Sequence, residues 1–112
     1  MVINLKEKCD SSKKGEFFYG AKVNKGIKDA YIGLCYLEPA EEDRKAGPGR
    51  GHEEILYLQE GQIELESKSE KIILNEGEAY HISDGLKVKL KNLTDERIYF
   101  IISGGHVKHH SH

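Results

Sequence analysis

Leu86-Lys87-Val88-Lys89-Leu90-Lys91-Asn92 is the stretch that decides the fold. Leu86, Val88 and Leu90 alternate with Lys87, Lys89 and Lys91. Successive side chains of a strand point to opposite faces, so the apolar trio faces a core and the lysines face water. A helix would spread both sets around its circumference. Gln62-Ile63-Glu64-Leu65-Glu66 shows the same alternation, with Ile63 and Leu65 inward. After the polar turn Ser67-Lys68-Ser69-Glu70 comes the short apolar run Lys71-Ile72-Ile73-Leu74. Residues 96–103 carry Ile98, Tyr99, Phe100, Ile101 and Ile102, the β-branched and aromatic content of a strand buried on both faces. Residues 30–38 (AYIGLCYLE) read likewise, and their Gly33 marks a bulge or a close approach by another segment. Residues 17–23 make a weaker strand.

Turn signals fall between these runs, at Glu60-Gly61, Asn75-Glu76-Gly77 and the tight-turn pair Asp84-Gly85. No window reads as a helix. One long loop is expected over residues 39–51 (PAEEDRKAGPGRG), charged at first and then rich in glycine and proline. The sum is about eight strands or more with closely spaced turns. That is an all-β fold, an antiparallel barrel or double-sheet jelly roll, and such a shape encloses a pocket at its mouth.

Composition agrees with one domain. The chain has 112 residues, 38% of them hydrophobic and 32% charged. Its apolar runs are far short of the ~18 residues of a membrane span, so no membrane partner is expected. The N-terminus lacks the apolar stretch of an export signal. A net charge of -2 argues against a nucleic-acid binder, which carries a basic domain or stripe. Two cysteines, Cys9 and Cys35, make no disulfide framework, and a reducing cytoplasm is the expected location. Cys35 reads as a structural thiol and Cys9, in a polar stretch, as exposed. Four of the six histidines (His106, His109, His110 and His112) fall in the last seven residues. We therefore expect a single barrel domain over residues 1–103 and a His-rich, disordered tail over residues 104–112.

Two spaced motifs resemble the cupin family. The family's second motif runs G-x5-P-x-G-x2-H-x3-N. Gly77, Gly85 and Asn92 match it without a gap, with Ser83 at the proline position and Val88 at the histidine position. The first motif ends in E-x6-G, matched by Glu54 and Gly61 across Glu54-Ile55-Leu56-Tyr57-Leu58-Gln59-Glu60-Gly61. Its two histidine positions fall within residues 47–50, where no histidine stands. The chain is thus similar to a small single-domain cupin with degenerate metal-binding motifs. Metal-binding cupins hold iron, manganese, nickel or zinc with three histidines and a glutamate, a donor set suited to those ions. Of that set only Glu54 is kept, and the alternation independently points Val88, which cannot coordinate, inward.

The candidate site residues follow. His52 and Glu54 lie two apart on one strand, on the face of Leu56 and Leu58, and should point into the barrel. A buried carboxylate needs a partner, and Arg50 in the glycine-rich stretch beside them is suited to gripping a carboxylate or phosphate. Arg50, His52 and Glu54 are the expected ligand-binding set. His81 lies opposite Tyr80 and Ile82 in alternation, which favours it outward. Turned inward, it would complete a displaced metal set of His52, Glu54 and His81. Ile55 and Tyr57 are apolar residues on the outside of a sheet, and an outward apolar patch suggests a homodimer interface, which the resemblance also implies. The expected function is binding of a small polar or acidic molecule in the barrel without the usual metal and with no cofactor. The alternative is a metal-dependent enzyme of isomerase, dioxygenase or decarboxylase type, with the divalent metal (Fe, Mn, Ni or Zn) held around His52 and Glu54.

Overall fold

The alternations seen in the sequence become two facing sheets in a computed structural model that describes residues 1–107. The chain runs α1 (Leu5–Asp10), β1 (Glu16–Tyr19), β2 (Tyr31–Leu37), β3 (Arg44–Ala46) and β4 (His52–Leu58). It continues through β5 (Gln62–Glu66), β6 (Lys71–Asn75), β7 (Ala79–Ile82), β8 (Val88–Asn92) and β9 (Ile98–His106). One sheet has the order β1-β2-β9-β4-β7 and the other β3-β8-β5-β6. Every pairing is antiparallel. This is the expected double-sheet jelly roll.

The core lies between the sheets. Leu37, Leu56, Leu58, Phe100 and Ile102 face it from the first, and Ile63, Leu65, Leu74, Val88 and Leu90 from the second. In β8, Val88 and Leu90 are buried while Lys89 and Lys91 are exposed. Those lysines stand opposite Glu66 and Glu64 on β5, a charge pairing that suits a solvated sheet face. In β4, Glu54, Leu56 and Leu58 are buried and Ile55 and Tyr57 exposed, as the alternation requires.

Several expectations need correction. Residues 5–10 form a short helix where none was read. Its cap is legible: Asn4 Oδ1 accepts from the Glu7 N–H at 3.0 Å, and Glu7 adds an acidic residue to the first turn. The helix buries Cys9, expected to be exposed. The loop at 39–51 contains β3, an edge strand paired with β8. The weak strand at 17–23 stops at Tyr19. The strand read as buried on both faces alternates instead, with Ile98, Phe100 and Ile102 buried and Tyr99 and Ile101 half-buried. It also runs past Ser103 to His106, so residues 104–106 belong to the barrel and not to a tail. His109, His110 and His112 lie outside the described residues.

Candidate functional site

The site is built across three neighbouring strands. Tyr31 on β2 pairs with Gly104 on β9, and Gly104 pairs with Glu54 on β4. A Cβ at Gly104 would stand 2.5 Å from the Tyr31 ring and 2.8 Å from the Glu53 carbonyl oxygen. The missing side chain therefore leaves a channel across β9, and Tyr31 lies in it. Its hydroxyl donates to Glu54 Oε2 at 2.7 Å. Burial first, and the Glu54 carboxylate second, push the Tyr31 phenol well above its usual 10.0. One strand pair over, the Phe18 ring lies across Gly33 in the same way, so that a Cβ there would overlap the ring. Gly33 is thus a close approach rather than a bulge.

Glu54 and Arg44 line one cavity of about 150 Å³ between the sheets, with Glu16, Cys35, Phe100 and Ile102 among its other walls. Glu54 is only 6% exposed. Arg44, on edge strand β3, donates through Nε to Glu41 Oε2 at 2.9 Å and through Nη2 to Glu41 Oε1 at 3.3 Å. Its Nη1 is buried and has no hydrogen-bond partner among the described residues. Nothing in the local sequence distinguishes Arg44 from a loop arginine, and Tyr31 reads only as a core aromatic. The signal in the sequence is Gly104-Gly105, where the absent side chain at Gly104 admits the Tyr31 ring.

At the barrel mouth, the His106 ring lies tilted against His52 with centroids 4.2 Å apart, and the Tyr31 ring meets His52 edge-on at 6.0 Å. Asp29 accepts the His106 backbone N–H at 2.8 Å and contacts its Nδ1. The backbone bond, then the ring, hold the Asp29 carboxyl below its usual 3.8.

The residues expected from sequence divide accordingly. Glu54 faces the cavity. His52 shares its side of β4 but stands at the mouth against His106 rather than beside an arginine. Arg50 is exposed, in the turn closed by the His52 N–H on the Gly49 carbonyl, and the arginine that lines the cavity with Glu54 is Arg44. His81 points outward, its Nε2 2.9 Å from Glu53 Oε1, on the opposite face from Glu54. The set His52, Glu54 and His81 is therefore not brought together, for the period-two reason that favoured an outward His81. Val88 is buried at 1% exposure where the cupin pattern has a histidine, and Glu54 is engaged by Tyr31. The residues present do not fit a three-histidine, one-glutamate metal centre. Among the described residues, no group of three or more His, Cys, Asp or Glu side chains is arranged to hold a metal ion.

Two antiparallel sheets packed around an apolar core, with a small internal cavity beside Glu54, define a small jelly-roll barrel. The chain has the cupin fold. It superposes on a cupin protein from Bacteroides fragilis with a TM-score of 0.66 at 17% identity, covering 89% of this chain and 86% of that one. On oxalate oxidase in complex with the substrate analogue glycolate the TM-score is 0.70 at 16% identity, covering 86% and 53%. On the Schizosaccharomyces pombe Cnp3 cupin domain it is 0.63 at 13% identity, covering 70% and 57%. The chain thus spans little more than half the length of the last two. No family profile matches the sequence, and no curated protein matches it.

Proposed function

We propose that this protein binds a small polar molecule inside its cupin barrel, at the cavity walled by Arg44 and Glu54. The observation that carries the proposal is a cavity of about 150 Å³ whose walls include both Arg44 and the buried carboxylate of Glu54. Two opposite charges held apart on the walls of one cavity are a recognition device. Guanidinium suits a carboxylate or phosphate oxygen, and Glu54 suits a hydrogen-bond donor. A cavity of this volume admits a molecule about the size of benzene, which excludes nucleotides and sugars. The protein would act without the usual cupin metal.

The proposal extends to assembly and location. A homodimer through the outer face of the five-stranded sheet is supported by Ile32, Ile55 and Tyr57, which stand 37%, 51% and 39% exposed. Ile32 and Ile55 flank Ser103 on β9, and Tyr57 is next to Ile101. A depression of about 630 Å³ on that face is lined by Leu5, Ile32, Leu34, Tyr99 and Ile101. A cytoplasmic setting is supported by two buried free thiols, Cys9 and Cys35. No helix among the described residues is long and apolar enough to cross a membrane.

Amide NMR shifts recorded with a panel of small polar molecules test the binding proposal. Saturable changes should appear at Cys35, Arg44, Ala46, Gly47 and Phe100 and vanish in Arg44→Met. Changes confined to the outer face, or an unchanged response in Arg44→Met, would contradict it.

A further inference from the structure

The two histidines at the barrel mouth are not among the residues that wall the cavity. His52 on β4 and His106 on β9 stand directly opposite each other. One step beyond them, the Val107 N–H donates to the Gly51 carbonyl at 2.8 Å. Hydrogen-bonded and non-hydrogen-bonded pairs alternate along an antiparallel ladder. His52 and His106 therefore form a non-hydrogen-bonded pair, the kind in which side chains approach most closely. The backbone agrees: the His52 N–H goes to the Gly49 carbonyl and the His106 N–H to Asp29 Oδ1. Strand register thus brings the two rings to a centroid distance of 4.2 Å. Both are open to solvent, the His106 side chain at 56% exposure and His52 half-buried.

The neighbours of the pair suit it to coordination. Asp29 Oδ1 contacts His106 Nδ1. A carboxylate in that place keeps the ring proton on Nδ1 and leaves the Nε2 lone pair for a metal, as carboxylates do behind metal-bound histidines. On the other side, the Tyr31 ring packs edge-on against His52. Two imidazoles that share one ion at ~2.0–2.1 Å each hold their nitrogens about 3–3.5 Å apart. Rings already in contact reach that spacing by rotation about χ2, a broad torsion in histidine. Imidazole donors favour Cu²⁺, Ni²⁺ and Zn²⁺ over Mg²⁺ and Ca²⁺, which take oxygen ligands.

We propose that His52 and His106 chelate one divalent transition-metal ion of the Zn²⁺ and Cu²⁺ class at the barrel mouth, with Asp29 as the positioning residue behind His106. Among the described residues no third protein ligand joins them, so water fills the remaining positions. The site lies on β4 and β9, apart from residues 47–50 and 88, where the cupin pattern places its histidines. It is a separate site from the cavity and does not depend on ligand binding there.

Calorimetric titration with Zn²⁺, with histidine-ring NMR shifts as a second readout, is the test. The protein is the full chain carrying His109→Ala, His110→Ala and His112→Ala, because those histidines would bind zinc themselves. This background protein should bind Zn²⁺ with joint shifts of the His52 and His106 ring signals. Asp29→Asn keeps an acceptor for the His106 N–H and should weaken Zn²⁺ by about tenfold, the scale of losing the partner behind a ligand. His52→Ala and His106→Ala should each weaken it further, and so should His52→Gln and His106→Gln, which keep bulk at the mouth. His81→Ala, on the opposite face of the sheet, should leave the affinity unchanged. Absence of Zn²⁺ binding in the background protein, Mg²⁺ bound as tightly as Zn²⁺, or an affinity unaltered by His52→Gln would overturn the site.

Discussion

Gly104 shows how one absent side chain can set up a site. Tyr31 reaches Glu54 across β9 only because residue 104 has no Cβ. Gly104→Ala should expel the Tyr31 ring, break the Tyr31–Glu54 hydrogen bond and leave the carboxylate buried without its donor. We expect a loss of about 2–3 kcal/mol in urea unfolding, whereas Gly49→Ala, with nothing within 4 Å of the added Cβ, should change little. Equal effects from the two substitutions would count against the Tyr31–Gly104–Glu54 row. The same residues predict an alkaline limit to stability. Burial pushes both the Cys35 thiol and the Tyr31 phenol above their usual 9.0 and 10.0. A folded-state pKa raised above the unfolded value means that the native state holds its proton longer. The stabilisation is then complete below the unfolded pKa and is lost as pH rises above it. Urea midpoints should fall above about pH 9, and fall less steeply in the double variant Cys35→Ala, Tyr31→Phe. Parallel declines in the two proteins would refute this assignment.

At the scale of elements, β8 and the turn after it depend on the asparagine of the second motif. Asn92 is 1% exposed. Its Nδ2 donates to the Glu38 and Glu96 carbonyls at 2.9 and 2.7 Å, and its Oδ1 accepts from the Thr94 backbone N–H and hydroxyl at 2.8 Å each. It thereby ties the end of β8 to the loop after β2 and to the approach to β9. Asn92→Ala should cost about 3 kcal/mol in urea unfolding, because several buried backbone groups lose their partner together. A cost below about 0.5 kcal/mol, the range of ordinary surface changes, would show that these bonds are replaced by water. Strands such as β4, β5 and β8 were legible because a two-residue period repeated over five to seven residues separates face from face. β3 was not, because Arg44-Lys45-Ala46 is three residues long and its place at a sheet edge depends on β8, more than forty residues on. Arg44 was hidden with it. Glu54 was legible from motif spacing and strand parity together. Tyr31 was not, since its role depends on a register between β2, β9 and β4 that no local pattern encodes. The helix at residues 5–10 is one turn and a half, too short to show a period, although its Asn4–Glu7 cap was there to read.

At the scale of the whole molecule, the two faces of the five-stranded sheet have different tasks. The inner face builds the core and the cavity, and the outer face exposes Ile32, Ile55 and Tyr57. Water contact over such a patch favours association. Light scattering after gel filtration should give twice the chain mass, and Ile55→Lys with Tyr57→Lys should give the monomer without loss of the folded amide spectrum. A wild-type monomer across micromolar concentrations would contradict the dimer. The proposed function rests on the inner face, because a fold shared by many chemistries transmits none of them by itself. The most direct test of the cavity is a crystal structure of the protein soaked with a panel of small polar molecules. The account predicts a bound molecule between the two sheets, in the cavity walled by Arg44 and Glu54. Molecules seated only on the outer face, or a cavity closed by repacked side chains, would contradict it.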